Sequence, residues 1–315
     1  MAEGIPQRVL VSGAGGFLGR HLCPLLAERH NVIGVDVAGV AATFAGPWHT
    51  APEPDHLGAL LDDTKPGIVV HAAFRNRKPG DWSRTRYIAD VLAGHLPLFE
   101  ACAERDIGIV LCSSSAVYGA SREDRPLQET DPVAPVSTYG AAKAMQEMLL
   151  DVFADESLRV CTARLFNLIG PGQAPGMLLP DWLHGVASIV DGGEPVLRVY
   201  NRATWRDFVD VRDAALALRE MVGDFRPGEV VNVARGEPVS LMELSDFLAE
   251  LSPVPFEVVE LHPDIGTDDV PRQCGDRSRA RELWGWEPSI GWRESVTDAW
   301  REIRRQEPAS RVSEQ

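Results

Sequence analysis

Two groups of side chains in this sequence have the types and spacing to move a proton. Tyr139 and Lys143 stand four residues apart in Tyr139-Gly140-Ala141-Ala142-Lys143. A helical pattern runs over 138–153, and on a helix that spacing puts both side chains on one face, one turn apart. An ammonium beside a phenol favours the phenolate and lowers the tyrosine pKa. Moving it from about 10 to about 7 takes roughly 4 kcal/mol. The second group is Ser113-Ser114-Ser115, followed by Ala116-Val117-Tyr118-Gly119. It continues the apolar run 107–112, which reads as a buried strand. Hydroxyls at the end of such a strand lie where open α/β sheets take their ligands. The competing reading is a serine-rich turn and a surface Tyr/Lys pair. The elements around them decide.

The N-terminal stretch supplies the first of those elements. Arg8 to Ser12 reads as an apolar strand. Gly13-Ala14-Gly15-Gly16-Phe17-Leu18-Gly19 follows, and then a helical pattern to Arg29. Glycines at 13, 16 and 19 have the spacing of a dinucleotide loop with one extra residue in its first step. The early glycines permit a tight turn and close approach to a pyrophosphate, and Gly19 permits close helix–strand packing. A second strand over 32–35 ends in Asp36, about twenty residues beyond the loop, where a carboxylate accepts from the adenosine ribose. Asp36 would repel a 2′-phosphate, and no arginine follows in 37–40, so NAD(H) is expected in preference to NADP(H). A bound oxidised nicotinamide would supply part of the tyrosine shift.

Further strands are expected at 68–73, 158–166, 195–200, 205–211, 229–234 and 256–261. Helices are expected at 55–63, 85–105, up to about Val190, 212–222, 240–251, 278–283 and 292–304. Ser240 and Glu243 fit a capping box. A third strand belongs in 37–54, yet none is visible there. The small residues Ala72 and Ala73 leave room for the cofactor backbone. Arg75, Arg77 and Lys78 form a basic loop. Trp284, Trp286, Trp292 and Trp300 read as packing residues. The expected fold is α/β, a Rossmann-type doubly wound parallel sheet over 1–166, completed by about 205–235. A smaller substrate-binding cap is expected from 167–204 and 236–305, and a frayed tail over 306–315.

Composition narrows the function. A net charge of −15 argues against nucleic acid or an anionic membrane as the main partner. No apolar run approaches a membrane span, and the N-terminus lacks a signal-peptide pattern. The five cysteines show no metal-type pairing and read as reduced, mostly buried thiols, consistent with a cytoplasmic protein without a metal.

Taken in order, these motifs resemble the extended short-chain dehydrogenase/reductase family of nucleotide-sugar epimerases, dehydratases and reductases, from about Arg8 to Arg304. The resemblance also rests on His71-Ala72-Ala73, Arg164-x-Phe166-Asn167, Gly170-Pro171-Gly172 and Arg206-Asp207-Phe208-x-Asp210-Val211. The stretch from Phe166 to Gln173, with Asp269-Val270-Pro271 and Gly275-Asp276, looks most like the GDP-4-keto-6-deoxymannose reductase type. It implies Tyr139 as acid/base, Lys143 as its partner on the nicotinamide ribose, and Ser114 as the third catalytic residue. It implies cofactor contacts from Gly13, Gly15, Gly16, Phe17, Leu18 and Asp36, and from Ala72, Ala73, Ser113, Tyr139, Lys143 and Phe166. Substrate contacts would come from Ser115, Asn167, Arg206 and Asp269. A homodimer through helices 85–105 and 138–153 is implied as well.

Departures from the family pattern select among its reactions. Family dehydratases carry an Asp-Glu type pair where this chain has Ser115 and Ala116, so dehydration is not expected. An asparagine usual in the helix before the serine strand is Asp90. A diphosphate-binding arginine is replaced by Gly266, for which Arg202, Arg75 or Arg77 would have to compensate. The leading expectation is an NADH-dependent reductase of a nucleotide-linked 4-keto-6-deoxysugar. The alternative is a nucleotide-sugar C4 epimerase, which uses the same residues. A remoter one is a non-catalytic dinucleotide-binding protein.

Overall fold

The computed structural model describes residues 7–74, 83–119, 125–154, 158–261 and 270–306. In β1 (Arg8–Ser12), Val9 and Val11 pack on one side and Leu10 on the other. A strand covered on both faces needs apolar residues throughout, which is why it reads as a continuous run. The chain continues through α1 (Gly19–Ala27), β2 (Asn31–Asp36), β3 (Trp48–Thr50), α2 (Leu57–Thr64), β4 (Ile68–His71), α3 (Arg84–Ala103), β5 (Gly108–Ser114), α4 (Thr138–Ala154) and β6 (Val160–Leu165). There follow β7 (Asn167–Ile169), α5 (Leu178–Val190), β8 (Val196–Tyr200), β9 (Trp205–Asp210), α6 (Val211–Gly223), β10 (Val230–Val233), β11 (Pro238–Ser240), α7 (Leu241–Leu251), β12 (Glu257–Leu261), α8 (Ser278–Trp284) and α9 (Trp292–Gln306).

Seven strands form one parallel sheet in the order β10-β6-β5-β4-β1-β2-β3. Helices α1 and α6 cover one face with Leu22, Leu26, Ala214 and Leu218. Helices α2, α3 and α4 cover the other with Leu61, Phe99 and Leu150. The expected doubly wound α/β sheet is therefore formed. Strand order reverses between β1 and β4, where Ser12 lies in register with His71. Ligands of such sheets bind in the crevice above that reversal.

Two features differ from the sequence reading. The missing third strand is β3, three residues at the sheet edge, too short for alternation to show. Its Trp48 ring covers Gly34, where an added Cβ would come within 2.6 Å of the ring. In the stretch 205–235, only β10 completes the large sheet. Strand β9 pairs instead with β11 and β7 in a separate three-stranded sheet. Strands β8 and β12 make a further parallel pair. Around these small sheets α5, α7 and α9 close a second apolar core containing Leu183, Val186, Phe208, Leu244, Val296 and Trp300.

The Ser240–Glu243 capping box forms at the start of α7. Trp286 and Trp300 are buried, while Trp284 and Trp292 pack against the apolar clusters. All five cysteines are buried free thiols. No described helix is long and apolar enough to cross a membrane.

Candidate active site

The turn from β1 into α1 depends on glycine at two points. Gly13 has φ +75°, and a Cβ there would lie 2.7 Å from the Ala73 nitrogen. A Cβ on Gly19 would lie 2.2 Å from the Gly13 oxygen. The loop is thus pressed against the end of β4, where Ala72 N donates to the Ser12 carbonyl at 3.1 Å. Gly16 N closes the turn onto the Gly13 carbonyl at 3.0 Å. Phe17 and Leu18 turn their side chains toward the core. No side chain caps α1, so its first N–H groups suit an anion. Asp36 at the end of β2 accepts from Gly15 N at 2.7 Å and from Val37 N at 2.8 Å. A carboxylate fixed beside the loop in this way fits a ribose hydroxyl, so a dinucleotide suits the residues present.

The three serines at the end of β5 have three different partners. Ser113 donates to the Glu147 carboxylate. Ser115 donates to Gln273 Oε1 at 2.9 Å, and Gln273 Nε2 returns a bond to the Ser115 carbonyl at 2.9 Å. Ser114 is hydrogen-bonded to the Tyr139 phenol and also accepts from Ala116 N at 3.2 Å. Of the three hydroxyls, Ser114 is therefore the one joined to the tyrosine.

Tyr139 and Lys143 share a face of α4 as their spacing predicts, but their electrostatics differ from the expectation. Burial pushes the Tyr139 phenol above its usual value, with the Ser114 bond opposing the rise. Lys143, only 4% exposed, donates from Nζ to the Cys112 carbonyl at 2.8 Å. Its ammonium lies 3.8 Å from the Phe74 ring centroid, and the same ring meets Tyr139 edge-on at 5.3 Å. Burial lowers Lys143 to about 8, while Cys112 and Glu147 act to raise it. The expected depression of Tyr139 by Lys143 is thus absent, because the ammonium is turned to the Cys112 carbonyl and the Phe74 ring.

A buried polar network lies next to this row. Glu147 forms an ion pair with Arg164 of β6 at 2.8 Å. Arg164 also donates to the Tyr118 hydroxyl at 3.0 Å and to the Glu129 carbonyl at 3.1 Å. Tyr118 donates in turn to Asn232 Oδ1 at 2.7 Å. On the other side of Lys143, Ser12 Oγ bonds to His71 Nδ1 at 2.7 Å, and His71 Nε2 to His95 Nδ1 at 2.6 Å. Burial holds both imidazoles below their usual pKa, His95 at about 4.

Of the residues expected to hold substrate, Asn167 and Arg206 sit on the three-stranded sheet, while Ser115 follows β5. Asn167 Nδ2 donates to the Asp207 carbonyl at 3.3 Å. Arg206 Nη1 donates to the carbonyls of Trp205 at 2.9 Å and Val270 at 2.6 Å. The Phe166 ring belongs to the core, where an added Cβ on Gly275 would come within 2.5 Å of it. Asp269, Gly266, Arg75, Arg77 and Lys78 lie outside the described residues. Sequence reasoning missed Glu147, Gln273, Phe74 and the part played by His95. Only Glu147 left a signal, being one further helical turn beyond Lys143.

The model of the NAD dependent epimerase/dehydratase family matches residues 9–234. A GDP-6-deoxy-D-mannose reductase of Pseudomonas aeruginosa is 30% identical over 306 residues, covering 92% of this chain and 95% of that protein. The solved structure of RMD from Pseudomonas aeruginosa complexed with NADPH superposes with a TM-score of 0.80 at 29% identity, over 95% of this chain and 99% of the other. The Thermus thermophilus UDP-glucose 4-epimerase complexed with NAD gives a TM-score of 0.80 at 26% identity, over 94% and 99%.

Proposed function

The chain belongs to the NAD-dependent epimerase/dehydratase family, and from that premise we propose that it reduces a nucleotide-linked 4-keto-6-deoxysugar with NADH. The observation that carries the reading is the Ser114–Tyr139 hydrogen bond at the end of β5 beside the buried Lys143 ammonium. Bound NADH supplies the hydride. Tyr139, kept protonated by burial, donates its phenolic proton to the sugar carbonyl oxygen as negative charge develops there. Ser114 donates a hydrogen bond to the same oxygen. Lys143 remains an ammonium through the step, and the Tyr139 phenolate left behind is reprotonated from solvent. Ser115 and Ala116 offer no carboxylate for eliminating water, and Ser115 is paired with Gln273.

Asp36 supports NAD(H) over NADP(H) by the repulsion it offers a 2′-phosphate, although one relative was solved with NADPH. The small sheets form the substrate-binding cap, with Asn167, Arg206 and Asp269 on the nucleotide diphosphate and ribose. A homodimer through α3 and α4 is supported by Met148 and Val152, which are 65% and 63% exposed on α4. A monomer in sedimentation would remove that assignment. The buried free thiols suit a reducing cytoplasm.

A second reading is favoured by the likeness to the Thermus thermophilus UDP-glucose 4-epimerase complexed with NAD. The same three residues would serve a C4 epimerase. One assay separates the two. The purified protein is offered nucleotide-linked 4-ketosugars with NADH or NADPH, and UDP-hexoses without added cofactor. Stoichiometric NADH consumption is the expected result. Isomerisation without net NADH loss would sink the reductase in favour of the epimerase.

A further inference from the structure

Tyr139, Lys143 and Glu147 follow one another at intervals of four along α4, which aligns them on one helix face. Glu147 is 9% exposed and accepts four hydrogen bonds from two strands. It accepts from Ser113 of β5, whose neighbour is Ser114. It accepts from Arg164 of β6, with Nη2 at 2.8 Å and Nε at 3.2 and 3.3 Å. Through Arg164, Tyr118 and Asn232 the same network reaches β10 and the 125–131 loop. The helix face that carries the proton-transfer residues is therefore tied to three strands of the sheet at a point one turn beyond Lys143.

Packing alone does not call for charge at this place. A buried ion pair is costly to desolvate, and well-packed apolar residues of similar volume often serve as well or better. The Lys143 ammonium does need a nearby negative charge. Among the described residues, the titratable groups around it are His71 from β4, His95 from α3, Cys112 from β5, and Tyr139 and Glu147 from α4. Glu147 is the one carboxylate in that set. The Phe74 ring covers the ammonium on another side.

We propose that Glu147, clamped by Arg164 and Ser113, is a positioning residue for proton transfer: it fixes the Tyr139/Lys143 face of α4 and supplies the buried negative charge that keeps Lys143 an ammonium. It acts through Lys143 and touches no reacting atom. The proposal rests on the reading of Tyr139 and Lys143 as the proton-transfer pair.

The composition of the chain makes the test direct, because its only lysines are Lys65, Lys78 and Lys143. With 13C-labelled lysine, the Lys143 resonance is assigned by its loss in Lys143→Arg. Its titration is then followed in the wild-type chain, in Glu147→Gln, and in the apolar pair Glu147→Leu/Arg164→Met. The wild-type midpoint is expected at about 8. Removing the carboxylate should move it down by about 1 unit in Glu147→Gln, and by a smaller amount in the apolar pair, which removes the Arg164 cation as well. The alkaline limb of kcat should move with it, since activity is lost as rising pH removes the ammonium. A wild-type midpoint in the folded variants would overturn the proposal. The apolar pair keeps the test open if Glu147→Gln does not fold, because it leaves no buried charge unpaired. The resonance reads Lys143 without substrate, so a wild-type protein inactive on 4-ketosugars would count against the proposed function and leave the positioning result standing.

Discussion

The face of α4 that carries Tyr139 and Lys143 and the short strands that carry Asn167 and Arg206 are held by different means. On α4 the ties run between buried side chains, several of them charged: Ser113 to Glu147, Glu147 to Arg164, Arg164 to Tyr118, Tyr118 to Asn232. On the small sheets Asn167 and Arg206 donate to backbone carbonyls of Asp207, Trp205 and Val270. A carbonyl accepts from any donor that reaches it, whereas a buried carboxylate needs its particular cation. The first region tolerates little change in sequence. The second can exchange one donor for another, as befits a fold on which different ligands are held by grafted sites.

The largest expected effect tests the first region. Tyr139→Phe removes the proton donor while keeping the ring against Phe74. It should lower kcat by about 10²–10⁴, with little change in KM. Full turnover by this variant, measured in the NADH assay, would remove Tyr139 from the chemistry.

The substrate side should respond in the opposite sense. Arg206→Ala deletes one charged donor, worth about 1.5–3 kcal/mol if it binds a diphosphate. KM for the nucleotide sugar should then rise by about tenfold or more, with kcat and the thermal midpoint nearly unchanged. A loss confined to kcat would erase the distinction between the regions.

The smallest effect concerns acid. His71 and His95 have folded pKa values below their unfolded value of 6.5, His95 at about 4. Below pH 6.5 the unfolded chain takes up protons that the folded chain refuses. Stability present above that pH is therefore lost as pH falls toward 4, at up to about 1.4 kcal/mol per pH unit for each imidazole. On the small sheets Asp207 has the opposite sign. Burial raises its pKa above 3.8, so its contribution is fully present below 3.8 and is lost as pH rises through the folded value. Thermal melts between pH 7 and 5 should show a shallower acid loss in His95→Phe than in the wild type. An unchanged slope would place the acid sensitivity elsewhere.

The parts of this site that sequence reveals are the local ones. The glycine turn, Asp36 and the Tyr139/Lys143 pair are set by spacings of a few residues on elements whose periodicity is plain. Glu147 follows the same period and was within reach of it. Gln273 was not: motifs flank it on both sides, but it meets Ser115 from 158 positions away and no spacing connects the two. Strand β9 is legible as a strand, but which sheet it joins is decided by β7 and β11, themselves only three residues each. The direction of the Tyr139 shift is not legible in spacing for a related reason. Spacing places Lys143 near the phenol, whereas burial and the Cys112 carbonyl fix what its ammonium faces.

One residue, Phe166, separates β6 of the large sheet from β7 of the small one. Its N–H is bonded to the Val233 carbonyl at 3.0 Å, and its ring is wedged against Gly275. The junction therefore has no slack. Arg164 and Asn167 are three residues apart, at most about 10 Å of taut chain. Mechanically this is a tie-rod rather than a hinge. Under the proposed function, a pull on Asn167 from a bound ligand would be carried as tension along one strand to the Arg164 guanidinium that grips α4.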